Sequence, residues 1–499
     1  MFNIKKITVG VLVALLVVTS GCKEFLDINN NPNQVTAATP ELVLPDALAA
    51  SARYIQTSFP FLNLWMGYWN WSGNYSIGTS DKNYQFTNSF GSGIWDNAYL
   101  NLKNYNYIDT QGAELNQPVL QGMAKIMKAL HFQILVDTYG NIPYTEALAG
   151  VSTASPKYDD QVAVYEDLFN QIDAGLALFD QADQLADQGA TVLNPGTNDI
   201  MFHGDLDLWR EFANTLKLRM LLRQSEKSDR QSFIQAQLTK IKASGYGFLG
   251  AGESATVNPG YTNSTNQQNP FFGNYGETVT GTPTELNNQY KANKYGVDFY
   301  QTTNDPRLGR YYYPVGGTGT TFNATYFGTI APVVNSLVSA IGPALLDDAS
   351  QDAVILSSHE SLFLQAEAAQ RGWITGTPKT LYQSAISESF INVGLTAAQA
   401  TTYYSQAVNN VGFDASTNKI EAIITQKWAS LNGFSPFESW SDYRRLGYPN
   451  VPISQDPSTS IKQIPVRLLY PQSEYNYNAA NVNAQGTVSQ FTTKIFWEK

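Results

Sequence analysis

The groups in this chain that could do chemistry are 42 acidic residues, three histidines (His131, His203, His359) and a single cysteine, Cys22. His359-Glu360 with Glu367 further along is the nearest thing to a metal pattern. Helical zinc sites place two His four residues apart around a Glu. That spacing is absent, so His359 reads as an ordinary helix residue. Gly91-Ser92-Gly93 lacks the Gly-x-Ser-x-Gly spacing of a nucleophile elbow. Gly316-Gly317-Thr318-Gly319 lacks the Lys-Ser/Thr that completes a phosphate loop. Paired carboxylates for glycoside hydrolysis must sit about 5–10 Å apart in the fold. Asp159-Asp160 and Asp347-Asp348 read instead as helix starts or solvated loops. The expectation is a protein without catalysis and without a cofactor, with a structural Ca²⁺ left open.

Cys22 is better explained by its surroundings. Lys5 and Lys6 precede an apolar run from Ile7 to Val18, and Thr19-Ser20-Gly21 leads into the cysteine. A run this short falls below the roughly 20 residues that span a bilayer, but it suits a secretory signal peptide. Small residues before a lone cysteine are what lipoprotein processing needs, although Thr19 stands where Leu is usual. The expectation is a signal peptide over 1–21, lipidation at Cys22, a tether over 22–40 rich in Asn and Pro, and a single domain over 41–499. Each buried acyl methylene contributes about 0.8 kcal/mol, so two or three chains anchor the protein durably.

Loss of Lys5 and Lys6 takes the formal charge from −11 to −13. An acidic chain without a basic run does not bind nucleic acid by releasing counterions. Aromatic residues make up 13%, with 29 Tyr and 9 Trp. Such rings pair an apolar face with a polar edge, which suits stacking on sugars or peptides. Trp65, Trp69, Trp71 and Tyr75 fall close together among Asn, Ser and Gly. The four-residue spacing of Trp65 and Trp69 favours the core, whereas Trp71 and Tyr75 read as loop residues able to present a ring. Ligand-binding candidates are therefore Trp71 and Tyr75, then Trp69, with Tyr275, Tyr311, Tyr312 and Tyr313 as a second group.

Helices must position these residues. Apolar residues from Val119 to Leu135 recur at three- and four-residue spacing between Pro118 and Gly140. Val162–Phe179 and Trp209–Leu222 repeat the pattern, and Glu41–Ser58 and Ile94–Ile108 read as helices before them. From about 244 to 345 Gly, Asn, Thr, Tyr and Pro dominate, with one helix expected near Glu285–Tyr300. Helices return at Ser358–Arg371, Pro378–Val393, Ala397–Val408 and Lys419–Leu431, paired by short links as in tetratricopeptide hairpins. The chain beyond Asn450 reads as irregular.

Several segments carry a family resemblance. Phe25-Leu26-Asp27-Ile28-Asn29-Asn30-Asn31-Pro32-Asn33 is one, and Asp207-Leu208-Trp209-Arg210-Glu211-Phe212-Ala213-Asn214-Thr215-Leu216-Lys217-Leu218-Arg219 is another. Asp305-Pro306-Arg307-Leu308, Glu360 through Glu367-Ala368, Gln426-Lys427-Trp428, Trp440 through Pro449, and Pro465-Val466-Arg467 with Tyr470-Pro471 complete the set. In order and spacing the chain resembles the SusD/RagB outer-membrane lipoproteins. The resemblance implies a mainly helical fold of tetratricopeptide-like hairpins packed against a loop-rich lobe. It also implies a cell-surface role: capture of glycans beside a TonB-dependent SusC-type transporter, with peptide capture as the alternative. A surface hydrolase is the rival from another class. The motif segments read as structural.

Overall fold

The computed structural model describes residues 38–73, 79–150, 153–330 and 334–499. The first half is helical: α1 (Pro40–Thr57), α2 (Pro60–Trp65), α3 (Thr79–Lys82), α4 (Ser92–Glu114), α5 (Pro118–Tyr139), α6 (Gln161–Asp187), α7 (Leu206–Arg223) and α8 (Gln231–Ala243). Local chemistry sets the ends. Pro118 opens α5, where its missing N–H costs nothing, and Gly140 at φ +77° closes it with its N–H on the Val136 carbonyl at 2.8 Å. Asp160 caps α6, its Oδ1 accepting from the N–H groups of Val162 (3.0 Å) and Ala163 (3.2 Å). Asp205 does the same for α7, at 3.0 and 3.2 Å.

α5 packs against both α4 and α6 and is buried nearly all round. Gly122 on α5 and Gly175 on α6 make the second contact close. A Cβ on Gly122 would lie 2.6 Å from the Phe179 ring and 2.8 Å from the Gly175 carbonyl.

The middle of the chain holds short elements: α9 (Pro270–Tyr275), α10 (Glu285–Gln289), α11 (Lys294–Thr302) and α12 (Leu308–Tyr311). Three two-stranded antiparallel sheets pin it: β1 (Trp69–Trp71) with β5 (Tyr290–Ala292), β2 (Ile142–Pro143) with β3 (Tyr158–Asp159), and β4 (Ala255–Val257) with β6 (Ala353–Leu356). The single helix expected near Glu285–Tyr300 is two. Tyr290-Lys291-Ala292 is drawn out to pair with β1, and Asn293 restarts the helix by accepting the Tyr295 N–H at 2.9 Å.

Helical hairpins follow: α13 (Ser358–Gln370), α14 (Pro378–Asn392), α15 (Ala397–Tyr404), α16 (Lys419–Ser430) and α17 (Pro436–Leu446), then α18 (Gln472–Tyr477) and α19 (Ala479–Asn483). Phe363, Tyr382, Ile386, Phe390, Tyr403 and Ile423 form the heart of a satellite core among the hairpins α13–α16. A larger core runs from Leu44 to Trp497. The architecture is the mainly helical, tetratricopeptide-like one. No described helix is long and apolar enough to cross a membrane.

An ionic network joins the halves, and the motif segments supply most of it. Arg223 on α7 reaches Asp137 on α5 (3.3 Å) and Glu438 on α17 (2.6 Å). Arg445 on α17 is bidentate on Glu367 of α13 (2.5 and 2.8 Å) and holds Asp442 (2.8 Å), which also meets Lys427 of α16 at 3.0 Å. Arg307 is clasped by Asp305 and Gln426. All are buried. Burial alone would raise the Asp442 carboxyl, but Lys427, Arg445 and Arg223 hold it well below the usual range. His359 is a helix residue, between Ser357 Oγ (3.0 Å) and Asn392 Nδ2 (2.8 Å), its pKa lowered to about 3 by burial.

Candidate functional site

The candidate residues separate by burial. The aromatic side chains of Trp69 and Tyr275 are enclosed with Phe271 and Tyr290, Trp69 lying 5.4 Å from both Tyr275 and Tyr290. Tyr311 and Tyr312 are also fully buried. The C-terminal carbonyls of α16 have no partner within their own helix. Tyrosines from other segments meet them: Tyr68 on Trp428 (2.7 Å), Tyr300 on Ala429 (2.8 Å) and Tyr311 on Ser430 (3.0 Å). Tyr312 donates to the Tyr68 carbonyl at 2.7 Å. Tyr275, Tyr311 and Tyr312 are therefore corrected from presented rings to core and capping residues, and Trp69 takes the core place that its spacing favours, not that of a ligand contact. Tyr313 is 37% exposed, on a loop pinned by its N–H to Ala340. Cys22 and Tyr75 lie outside the described residues.

Trp71 is half-buried and lines a cavity of about 310 Å³. The cavity lies where α1 ends (Thr57, Ser58), α2 begins, and β1, β5 and α3 converge. Two aromatic groups line it. Phe86 and Phe90 are stacked at 4.5 Å, Trp65 lies near-parallel to them at 5.9 and 6.4 Å, and Phe61 sits edge-on to Trp65 and Phe90, 4.9 Å from each. Separately, Trp71 meets Tyr290 at 5.6 Å, tilted by 59°. The β1–β5 register sets this second pair directly across from each other. Asn70, between the two strand tryptophans, turns the other way and holds Thr325 Oγ1 (2.6 Å) and the Tyr326 carbonyl (3.0 Å), which fixes the strand.

Asp81 on α3 is the one charged group lining the cavity among the described residues. Burial pushes its carboxyl above the usual value, and its charge helps burial raise the Tyr290 hydroxyl. A cavity of this size, mainly apolar with few polar groups, is the ordinary shape of a small-ligand site.

A larger cavity, about 430 Å³, lies between α4, α5 and α6. Its polar groups are already engaged: Tyr144 and Gln171 donate to Asp167 (2.5 and 3.1 Å), and Lys128 holds Asp109 (3.0 Å). The Trp71 cavity is the stronger candidate because its rings and its carboxylate remain for a ligand. Of its lining, the sequence singles out Trp71 and assigns Trp65 to the core. Phe86, Phe90, Asp81 and Tyr290 are missed, since only strand pairing and the α2–α4 turn bring them there.

No group of three or more His, Cys, Asp or Glu among the described residues is arranged to hold a metal ion. Glu211, whose carboxyl is pushed up to about 7 by burial and by Glu253, is the most perturbed partly exposed acid. It lies on α7, away from the aromatic cavity.

The family described as starch-binding and associating with the outer membrane, SusD-like, matches residues 32–471. No curated protein matches. Solved structures resemble most of the chain. A chitin-binding SusD homolog from Flavobacterium johnsoniae is 23% identical with a TM-score of 0.73, covering 91% of this chain and 98% of its own. An outer-membrane protein linked to nutrient binding in Bacteroides vulgatus is 23% identical at 0.76, covering 93% and 100%. A SusD homolog from Bacteroides uniformis is 21% identical at 0.74, covering 93% and 100%. At these identities the structures establish the shared fold. With several of the motif segments supplying buried ion pairs and the family match spanning most of its length, the chain belongs to the SusD-like family.

Proposed function

We propose that this protein captures glycans at the outer face of the outer membrane and hands them to a TonB-dependent SusC-type transporter. The observation that carries the reading is the cavity holding Trp71 and Tyr290, in a chain whose family is described as starch-binding and outer-membrane associated. Aromatic faces grip the C–H faces of sugars weakly, at roughly 0.5–1.5 kcal/mol beyond burial by analogy with aromatic pairs. That strength suits capture followed by release. The chitin-binding neighbour supports a glycan as ligand. Among the described residues lining the cavity none forms a nucleophile–base pair, which supports capture of a ligand that is left intact.

Trp71→Ala should weaken binding of an oligosaccharide at least tenfold, since tenfold is about 1.4 kcal/mol. Titration calorimetry on a glycan panel reads the loss, with an unchanged melting temperature showing that the fold holds. Unaltered affinity in the variant would remove the cavity from the reading. Ligand recovered with new chain ends by mass analysis would replace binding with hydrolysis.

The anchor is proposed to be acylated Cys22, which tethers the domain beside the transporter. Cys22→Ser should move the protein from the membrane pellet to the soluble fraction without loss of folding, because one anchoring signal is removed and no described helix replaces it. A variant that still pellets after a high-salt wash, at unchanged yield, refutes the anchor.

A further inference from the structure

We infer that the Trp71 cavity is selective for a glycan unit carrying a free ammonium group, a 2-amino-2-deoxy sugar. This rests on the glycan-capture reading and narrows its ligand class.

Three observations carry it. First, Asp81 is half-buried in the lining, and among the described residues it has neither a hydrogen bond nor an ion pair. A carboxylate taken partly out of water needs a cation or several donors to offset the loss. Second, the protein supplies no cation there. No Lys or Arg lines the cavity among the described residues. Lys82, the sequence neighbour, acts on Asp456, and Lys291 on β5 donates to the Asn287 carbonyl at 3.1 Å. Third, the remaining lining is aromatic, apart from the Thr57 and Ser58 hydroxyls and a few aliphatic positions. Thr57 already spends its proton on the Arg53 carbonyl at 2.8 Å.

A neutral sugar offers Asp81 hydroxyl donors only and leaves its charge uncompensated. An ammonium needs one anion and ring faces, because the face of an aromatic ring is negative and attracts cations. Asp81 beside Tyr290 and the Trp65 group provide that combination. An N-acetylated sugar loses the charge, and with it the pairing to Asp81.

The test uses the mature full-length chain and three tetramers: β-1,4-linked glucosamine, its fully N-acetylated form, and a glucose tetramer. Calorimetry at mildly acidic pH, where the sugar amines carry their protons, and at moderate salt should show the glucosamine tetramer at least tenfold tighter than either of the others. Asp81→Asn should bring that preference to within twofold, and Asp81→Glu should restore part of it. Equal affinity for glucosamine and N-acetylglucosamine tetramers overturns the inference, as does a preference that survives Asp81→Asn. Glucose binding that Trp71→Ala abolishes and Asp81→Asn leaves alone also overturns it, while keeping glycan capture. A lysine-containing tetrapeptide that binds through Asp81 when no sugar does overturns both.

Discussion

Replacing Arg445 by methionine is expected to cost about 3–5 kcal/mol of stability, the range for leaving buried charges without their partner. Arg445 is fully buried and serves Glu367 through two bonds, Asp442 through a third, and Ser225 Oγ at 3.0 Å. Methionine fills much of the volume but strips both buried carboxylates of their closest cation, leaving Asp442 chiefly to Lys427 and Glu367 to Arg371. The loss therefore reflects stranded charge more than lost packing. Urea unfolding followed by tryptophan fluorescence measures it. A second variant separates the causes: with Arg445→Met and Glu367→Leu together, one of the stranded charges is gone and part of the loss should return. A single variant within about 1 kcal/mol of the parent would mean that water reaches this network and screens it.

Glu498 should contribute stability that falls as pH rises from about 5 to 8, opposite in sign to the buried His131 and His359, whose pKa values lowered to about 3 make stability rise up to about 6.5. Glu498 is buried, and burial lifts its carboxyl to about 7 in spite of Arg444 at 2.9 Å. The folded state thus binds this proton more tightly than the unfolded chain, whose glutamate titrates near 4.5. The stabilisation is complete below 4.5 and is lost as pH passes through 7. The shift corresponds to roughly 3 kcal/mol. Glu211 adds a smaller effect of the same sign, reduced because the group is partly exposed. Asp442 has the opposite sign, but its pKa is depressed, so it changes stability only in stronger acid. Denaturation midpoints at half-unit pH steps test this. The stability of the parent relative to Glu498→Gln should fall from pH 5 to 8, and a difference that does not change with pH would refute the assignment.

Much of the helical frame was legible because amphipathic spacing and end signals act locally. Pro118, Asp160 and Gly140 each mark a boundary through their own backbone chemistry, and the structure starts or stops helices there. α8 and α17 were not read. In α17 the buried face carries Glu438, Asp442, Arg444 and Arg445, so a pattern built on apolar residues reports a solvated stretch. The aromatic candidates failed for a related reason. Tyrosine is amphipathic, and whether its hydroxyl meets water or a helix carbonyl depends on which chain end lies across from it. Nothing near Tyr311 in sequence indicates Ser430. The place of Trp71 outside the closed core was legible because the residues after it are small and polar. Its partner Tyr290 was hidden behind strand pairing across more than two hundred residues.

Asp137 bears on how the chain reaches this state. Its carboxylate accepts from Gln133, Tyr165, Arg223 and the indole of Trp497, the last at 2.7 Å across 360 residues of sequence. Trp497 is fully enclosed and shares its ring faces with Arg444 and Arg223. The helix pair α5–α6 can therefore form early on the ribosome, but its central charge is not fully coordinated until residue 497 has been made. Contacts of such long range are slow to close. Closing the Asp137 site is therefore a late step, one that waits for the last residues of the chain.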